Sequence, residues 1–411
     1  MNVIISGPFG RGSLADEAVL AGVLVHFKEK KHGITVLSAD PKATHSLHDV
    51  EAIFAGEPTT LLGNKAAWAA FSKAHLFVLA GAGTISSEGK LPARHWLAQL
   101  EHAQTAGLKT ALVAAGAIPI GDARERARVQ RLLHHNVEGI AMRDAQSKTA
   151  VMSYGMNANR ISSNGDPTIA LTPAETMKTS PASPLRLGLV LAPDVPSRTQ
   201  FGFESSAPPP EFELYITDLV KLLLKTEDMA LQLFHDDSHP MHAFAGKLRQ
   251  LAPDKITAMA ADRKTADIQA QLAACRAVFS VSLHGLILAA ASETPVAGLN
   301  TEPGASDFLG SLGLPSLAIA PDDPALAAKT LHNLINSGDT VRQSLKTKLV
   351  ALRKKEAQNA RMLELLVPRR VERERQRETV GFSTDKPAKF RQKPKAQRGT
   401  RHKEVKWEDI E

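Results

Sequence analysis

Short apolar runs alternate with longer helical patterns along almost the whole of this 411-residue chain, and a proline-rich stretch breaks that alternation once, near the middle. In the first half the runs are 3–5, 34–37, 76–80, 110–114, 139–142 and 160–163, with helical patterns at 16–30, 93–105, 123–134 and 144–154. A strand that reaches its neighbour through a helix must cross over right-handedly and pair in parallel, so the pattern predicts a doubly wound sheet. The runs are almost wholly apolar rather than alternating, as required when helices cover both faces. Residues 172–184 carry Pro173, Pro181 and Pro184 with little apolar content and read as a linker. The alternation then restarts at 187–191, 230–234, 256–259, 278–281, 296–299 and 317–319. The expectation is an α/β chain with two similar doubly wound domains, 1–171 and 185–338, facing across a cleft. A helix at 339–368 and a basic, disordered tail at 369–411 follow. Ligands of such a pair lie where strand carboxyl ends face one another.

Composition removes several alternatives. A hydrophobic share of 43% with 23% charged residues is that of a soluble globular protein. The single cysteine, Cys275, cannot make an internal disulfide and indicates a reducing compartment. The net charge of +7 is concentrated at the end, since residues 369–411 hold 14 Lys/Arg against 8 Asp/Glu. A nearly neutral body argues against nucleic acid as a partner. The longest apolar run, 277–292, is interrupted by His284 and falls short of the roughly 18 residues a membrane span needs. The opening residues read as a buried strand rather than a signal peptide, so a cytoplasmic protein is expected. The basic tail would suit peripheral contact with anionic headgroups at the inner face of the membrane, or be simply solvated.

Candidate chemistry lies in five segments. The first strand runs into Gly7-Pro8-Phe9-Gly10-Arg11-Gly12-Ser13-Leu14-Ala15-Asp16-Glu17, where glycines bring backbone amides near a ligand at a helix start and Arg11 adds a cation. Ser13-x-x-Asp16 reads equally as a capping box. A second glycine-rich turn, Gly81-Ala82-Gly83-Thr84, would line the same crevice. Arg143-Asp144 follows a strand end, with Asp144 as a helix cap and Arg143 either solvated or an anion clamp. His284, after Ser280-Val281-Ser282-Leu283, lies at or near a helix start whose dipole favours neutral imidazole; a lone histidine there reads as core or as an acid. His235-Asp236-Asp237-Ser238-His239-Pro240-Met241-His242 has the composition of a metal site. Its spacing fits no helical metal motif, which leaves a substrate-contacting loop or a polar turn and no metal.

Together these segments resemble the polysaccharide pyruvyl transferase family. Its glycine-rich opening is similar to Phe9-Gly10-Arg11-Gly12-Ser13-Leu14-Ala15-Asp16-Glu17 and its glycine loop to Gly81-Ala82-Gly83. Its Arg-Asp-x-x-Ser segment resembles Arg143-Asp144-Ala145-Gln146-Ser147, and its Asp-Pro element resembles Asp166-Pro167. The family's histidine helix entry is similar to Ser282-Leu283-His284-Gly285, followed by Pro295. Ser282 stands where the family has arginine, Ser13 replaces an asparagine, Ala15 replaces a glycine, and no lysine occurs in residues 300–306. Arg11, Arg94 and Arg198 are the candidate substitutes for those cations.

The resemblance implies two Rossmann-like domains arranged as in glycosyltransferase-B enzymes. It also implies transfer of pyruvate from phosphoenolpyruvate to a sugar hydroxyl pair, as a ketal, on an exopolysaccharide or cell-surface precursor. His284 would be the acid and Asp16 the base or orienter of the hydroxyl. The donor and acceptor would meet Gly10, Arg11, Gly12, Ser13, Glu17, Gly81, Gly83, Thr84, Arg143, His235, Asp236 and Ser282. Phosphoenolpyruvate enters as co-substrate beside a glycan or lipid-linked sugar, and neither cofactor nor metal is required. Two alternatives stand beside this reading: a nucleotide-sugar glycosyltransferase of the same architecture, and an altered family member that only binds a glycan or partner.

Overall fold

The computed structural model describes residues 1–28, 32–55, 64–81, 83–86, 93–173, 185–191, 209–300 and 303–366, without the side chains of Lys28, His135, His239 and Pro303. The expected linker beyond Pro173, Arg198, and the tail at 369–411 lie outside the described residues.

The first lobe runs β1 (Asn2–Ser6), α1 (Leu14–Lys28), β2 (Gly33–Ser38), α2 (Pro41–His48), β3 (Glu51–Phe54), α3 (Lys65–Lys73) and β4 (Leu76–Ala80). It continues through α4 (Ala93–Thr105), β5 (Lys109–Ala115), α5 (Ala123–Asn136), β6 (Gly139–Met142), α6 (Ala145–Met152) and β7 (Ile161–Ser163) to a 3-10 turn, Pro167–Ala170. The second lobe runs β8 (Leu185–Val190), α7 (Pro210–Leu223), β9 (Met229–His235), α8 (His239–Leu251), β10 (Ile256–Ala260), α9 (Thr265–Ala273) and β11 (Ala277–Ser280). It ends with α10 (Leu283–Ala291), β12 (Val296–Leu299), α11 (Pro303–Ser311), β13 (Ala318–Ile319), α12 (Pro324–Asn336) and the long α13 (Gly338–Leu366).

Every named pairing is parallel, in the orders β3-β2-β1-β4-β5-β6-β7 and β10-β9-β8-β11-β12-β13. Each order reverses once, between β1 and β4 and between β8 and β11, and those crevices are where a doubly wound sheet presents its loops to ligands. The first sheet has seven described strands where the sequence predicts six. The extra one, β3, is an edge strand whose Glu51 and Phe54 are exposed and only Ile53 is buried, so it carries no apolar run to read. Helix α10 starts at Leu283, and this places His284, expected at or near a helix start, inside its first turn.

The lobes share a core. Leu14, Ala18, Ile169 and Leu171 of the first pack with Val190, Phe234, Leu283 and Leu286 of the second in one buried cluster. At Gly22 in α1 the Pro167 carbonyl approaches so closely that a Cβ would collide with it, so only glycine lets the 3-10 turn seat on this helix. Polar contacts cross as well: Leu14 N–H donates to Asp236 Oδ1 at 2.8 Å and Asp237 N–H donates to the Gly12 carbonyl at 2.7 Å. Gly12 is left-handed at φ 70°, and a Cβ there would stand 2.7 Å from the Asp237 carbonyl oxygen.

Helix α13 crosses back from the second lobe to the first. Leu345 and Leu349 pack into the shared cluster, while Leu363 and Leu366 pack with Val3 and Ile5. Midway, Glu356 Oε1 accepts from His26 Nε2 of α1 at 2.8 Å and from Asn359 Nδ2 at 3.2 Å, and Asn359 Oδ1 accepts from Asn164 Nδ2 at 3.0 Å. His26 and Glu356 are almost fully buried, so each depends on the other for a partner. Among the described residues no helix is long and apolar enough to cross a membrane.

Two stability changes follow. Glu356→Ala strands His26 and removes one of the partners of Asn359, and should lower the unfolding free energy by about 3 kcal/mol in a urea titration. Gly12→Ala combines a left-handed backbone with a clash against the facing loop and should cost about 2 kcal/mol by the same measurement. A loss below about 0.5 kcal/mol, the scatter of ordinary surface changes, would contradict either contact.

Candidate functional site

The second lobe contributes an imidazole. Strand β11 ends at Ser280, and the Ser282 hydroxyl then caps α10 by accepting from the Gly285 N–H at 3.2 Å. His284 is thereby fixed as the second helical residue and is 6% exposed. The first lobe contributes a guanidinium from the end of β6. The Arg143 N–H is tied to the Ala115 carbonyl at 3.2 Å, and Asp144 caps α6 by accepting from the Ser147 N–H at 2.7 Å. Arg143 Nε donates to Asp144 Oδ2 at 2.7 Å, and its Nη1 meets His284 Nε2 at 3.1 Å. Burial would raise the Asp144 carboxyl, but the Arg143 charge and the hydrogen bonds from Ser147 and Arg143 outweigh it and hold the group below the usual carboxylate range. A guanidinium has donors only, so in this arrangement Nε2 accepts and the imidazole carries its proton on Nδ1.

A third group completes the cluster. Asp166, 4% exposed, heads the 3-10 turn with Oδ1 accepting from the Thr168 N–H at 2.9 Å. Its Oδ2 is buried without a hydrogen-bond partner and lies 3.8 Å from His284 Nε2. Sequence reasoning quoted Asp166 as part of a motif and gave it no role. The Asp-Pro pair after a strand was the available signal, but its approach to a histidine of the other lobe is a tertiary fact.

The glycine-rich turn after β1 is tied to its own lobe and to the other. Ser13 Oγ accepts from the Asp16 N–H at 3.3 Å, which caps α1, and Asp16 is half-buried on the first helical turn. Glu17 is buried with both oxygens occupied, Oε1 by the Gly10 N–H at 2.8 Å and Oε2 by His48 Nε2 at 2.7 Å. It secures the turn from within rather than facing the cleft. The amides of Gly10 and Leu14 are therefore committed, and the exposed Arg11 is the cation this turn presents. Thr84 Oγ1 donates to the Gly81 carbonyl at 3.1 Å and closes the turn that includes Gly83 beside β1, at the crevice of the first sheet.

The histidine-rich segment goes elsewhere. Asp236, expected to contact substrate, is half-buried and caps α1 across the lobes by accepting from the Leu14 N–H through Oδ1. His235 pairs through Nδ1 with the Asp236 carbonyl at 2.9 Å and meets the His242 ring edge-on at 4.8 Å. Burial pushes its imidazole below the ordinary histidine range. It lines a hollow of about 270 Å³ with His242, Arg249, Asp262 and Arg263, to which none of Arg143, Asp166 and His284 contributes. Among the described residues no group of three His, Cys, Asp or Glu is placed to hold a metal ion.

Sequence reasoning also missed His95 at the first crevice. It is fully buried on α4, with Nε2 3.0 Å from Gln99 Nε2, and Gln99 Oε1 accepts from Ser6 Oγ at the end of β1. Burial first, and then the Arg11 charge, push His95 down to about 4. Arg94, next to it, is exposed.

Solved structures share this two-lobed, glycosyltransferase-B-like fold at low sequence identity. S. aureus MnaA in a UDP co-structure superposes with a TM-score of 0.57 at 11% identity, covering 84% of this chain and 90% of that one. UDP-GlcNAc 2-epimerase from Neisseria meningitidis bound to UDP-GlcNAc gives 0.57 at 10% identity, over 89% and 99%. Anabaena Alr3699/HepE in complex with UDP-glucose gives 0.56 at 13% identity, also over 89% and 99%. No curated protein matches the chain in sequence. The model of the family described as polysaccharide pyruvyl transferase matches residues 16–303, from the first turn of α1 to the start of α11, and the chain belongs to that family.

Proposed function

We propose that this protein transfers the pyruvyl group of phosphoenolpyruvate to two hydroxyls of a sugar, forming a ketal on an exopolysaccharide or cell-surface precursor. The observation that carries the reading is the meeting of Arg143 and His284 at 3.1 Å, from opposite lobes and beside Asp166, at the carboxyl ends of both sheets. The donor is a small polyanion whose enol carbon must be protonated, and a guanidinium beside an imidazole supplies an anion clamp and a proton donor.

In this mechanism the donor's carboxylate or phosphate takes the Arg143 guanidinium. His284 then gives a proton to the methylene carbon, and the adjacent carbon becomes electron-poor. One sugar hydroxyl adds there and loses its proton, the carbon–oxygen bond to phosphate breaks with its electron pair, and the second hydroxyl adds and loses its proton. One proton enters the new methyl group and two leave the hydroxyls, so the balance departs with hydrogen phosphate. Asp16, half-buried near the glycine turn, orients or deprotonates the attacking hydroxyl. Arg11 supplies positive charge to a site in which Ser282 replaces the family's arginine and Asn300 follows β12 without the family's lysine. The reading uses no metal and no cofactor.

Phosphate release from phosphoenolpyruvate, assayed with pyruvylatable glycans, tests it. His284→Ala should reduce turnover by at least about 100-fold with donor binding retained. Arg143→Ala should weaken donor binding about tenfold or more, read as a smaller shift in melting temperature. Tight binding of a UDP-sugar without any response to phosphoenolpyruvate would replace this reading with a nucleotide-sugar enzyme. No response to either would leave a protein that binds a glycan or a partner.

A further inference from the structure

His284 Nε2 lies between two groups that ask opposite things of it. Arg143 Nη1, at 3.1 Å, has only protons to offer and requires a bare nitrogen. Asp166 Oδ2, at 3.8 Å, is a buried carboxylate oxygen with no hydrogen-bond partner and is satisfied best by a proton on that same nitrogen. The ring can meet only one of these demands at a time. The ligand-free arrangement serves Arg143 and leaves the Asp166 oxygen without a hydrogen bond, an unfavourable state for a buried acceptor.

We propose that Asp166 is the positioning carboxylate that stabilises the imidazolium of His284, whose Nε2 takes a proton from solvent when an incoming anion draws the Arg143 guanidinium away. The orphaned oxygen is then the element that favours the charged imidazole, against the dipole of α10, at whose first turn the ring sits. The catalytic significance rests on the pyruvyl-transfer reading; the competition of Arg143 and Asp166 for His284 Nε2 does not. The rest of the surroundings is constant. On the elements packed against α10, Glu17 is held by His48, Glu356 by His26, Arg353 by Glu293 and Asp307 by Gln146. Arg342 is bonded to backbone carbonyls, Lys346 pairs with Glu293 and Asp339 with Arg276. These groups, Asp16, Asp267 and the remaining charges of α13 (Lys348, Lys354, Lys355, Arg361 and Glu364) are identical in every variant compared.

Nitrogen-15 NMR of histidine-labelled, full-length protein reads both the tautomer and the pH at which His284 is half-protonated. In the ligand-free wild type the Nδ1–H tautomer is expected. Asp166→Asn keeps the oxygen that Thr168 needs and removes the charge, and should lower the half-protonation pH by about one unit or more. Arg143→Gln leaves Asp166 untouched and should raise it by a similar amount, so the proposal remains testable if the Asp166 variant folds poorly. Saturating phosphoenolpyruvate should move the wild type in the direction of Arg143→Gln. A pH–rate profile for phosphate release should shift with Asp166→Asn in the same sense as the imidazole. Half-protonation within about 0.3 pH units of wild type in both variants would overturn the proposal, since a carboxylate this close to a histidine moves it further than that. Shifts of the expected size without any phosphate release would instead sink the pyruvyl-transfer reading and leave the competition for His284 Nε2 standing.

Discussion

The seating of one short turn on one helix underlies the geometry of this molecule. The segment Asp166–Ala170 rests on α1 at Gly22, where no side chain is tolerated, and the hydrophobic cluster on its far side belongs largely to the second lobe. Ile169 and Leu171 thus belong to both halves. Because the turn is wedged between α1 and α10, the carboxylate at its head points at the imidazole on α10, and the end of β6 brings Arg143 to the same place. Packing does the positioning, and the polar groups occupy the edge of a contact that apolar burial has already fixed.

That arrangement explains an unusual distribution of satisfied and unsatisfied groups. The glycine turn, which a generic reading would make an amide cradle for an anion, has its Gly10 and Leu14 amides taken by Glu17 and Asp236. In the cluster of Arg143, His284 and Asp166 it is Asp166 Oδ2 that lacks a hydrogen bond. Fixed dipoles suit a ligand whose charge does not change, whereas an ionisable pair suits a reaction in which a proton has to move.

Much of the architecture could be read from apolar spacing. Most of the strand runs predicted in the two halves recur within a residue or two, because parallel strands buried on both faces are continuous apolar segments. Where the burial pattern differs the signal fails. Edge strand β3 exposes Glu51 and Phe54, and the start of α10 is hidden because Leu283 and His284 do not look like the beginning of an apolar helix. The site was legible in its parts and not in its assembly. Arg143 and His284 each stood out near a strand end, yet they are 141 residues apart and only the tertiary fold joins them. Asp236 looked like a cleft residue because aspartate after a strand faces solvent or ligand equally well in one dimension, and here a helix start from the other lobe claims it.

Helix α13 gives the chain a second crossing between its halves, in addition to the one between β7 and β8. Tied at two crossings and across a common apolar cluster, neither half can turn without disturbing contacts far from Arg143 and His284. The mutual placement of those two side chains is thus a property of the whole molecule rather than of the loops that carry them.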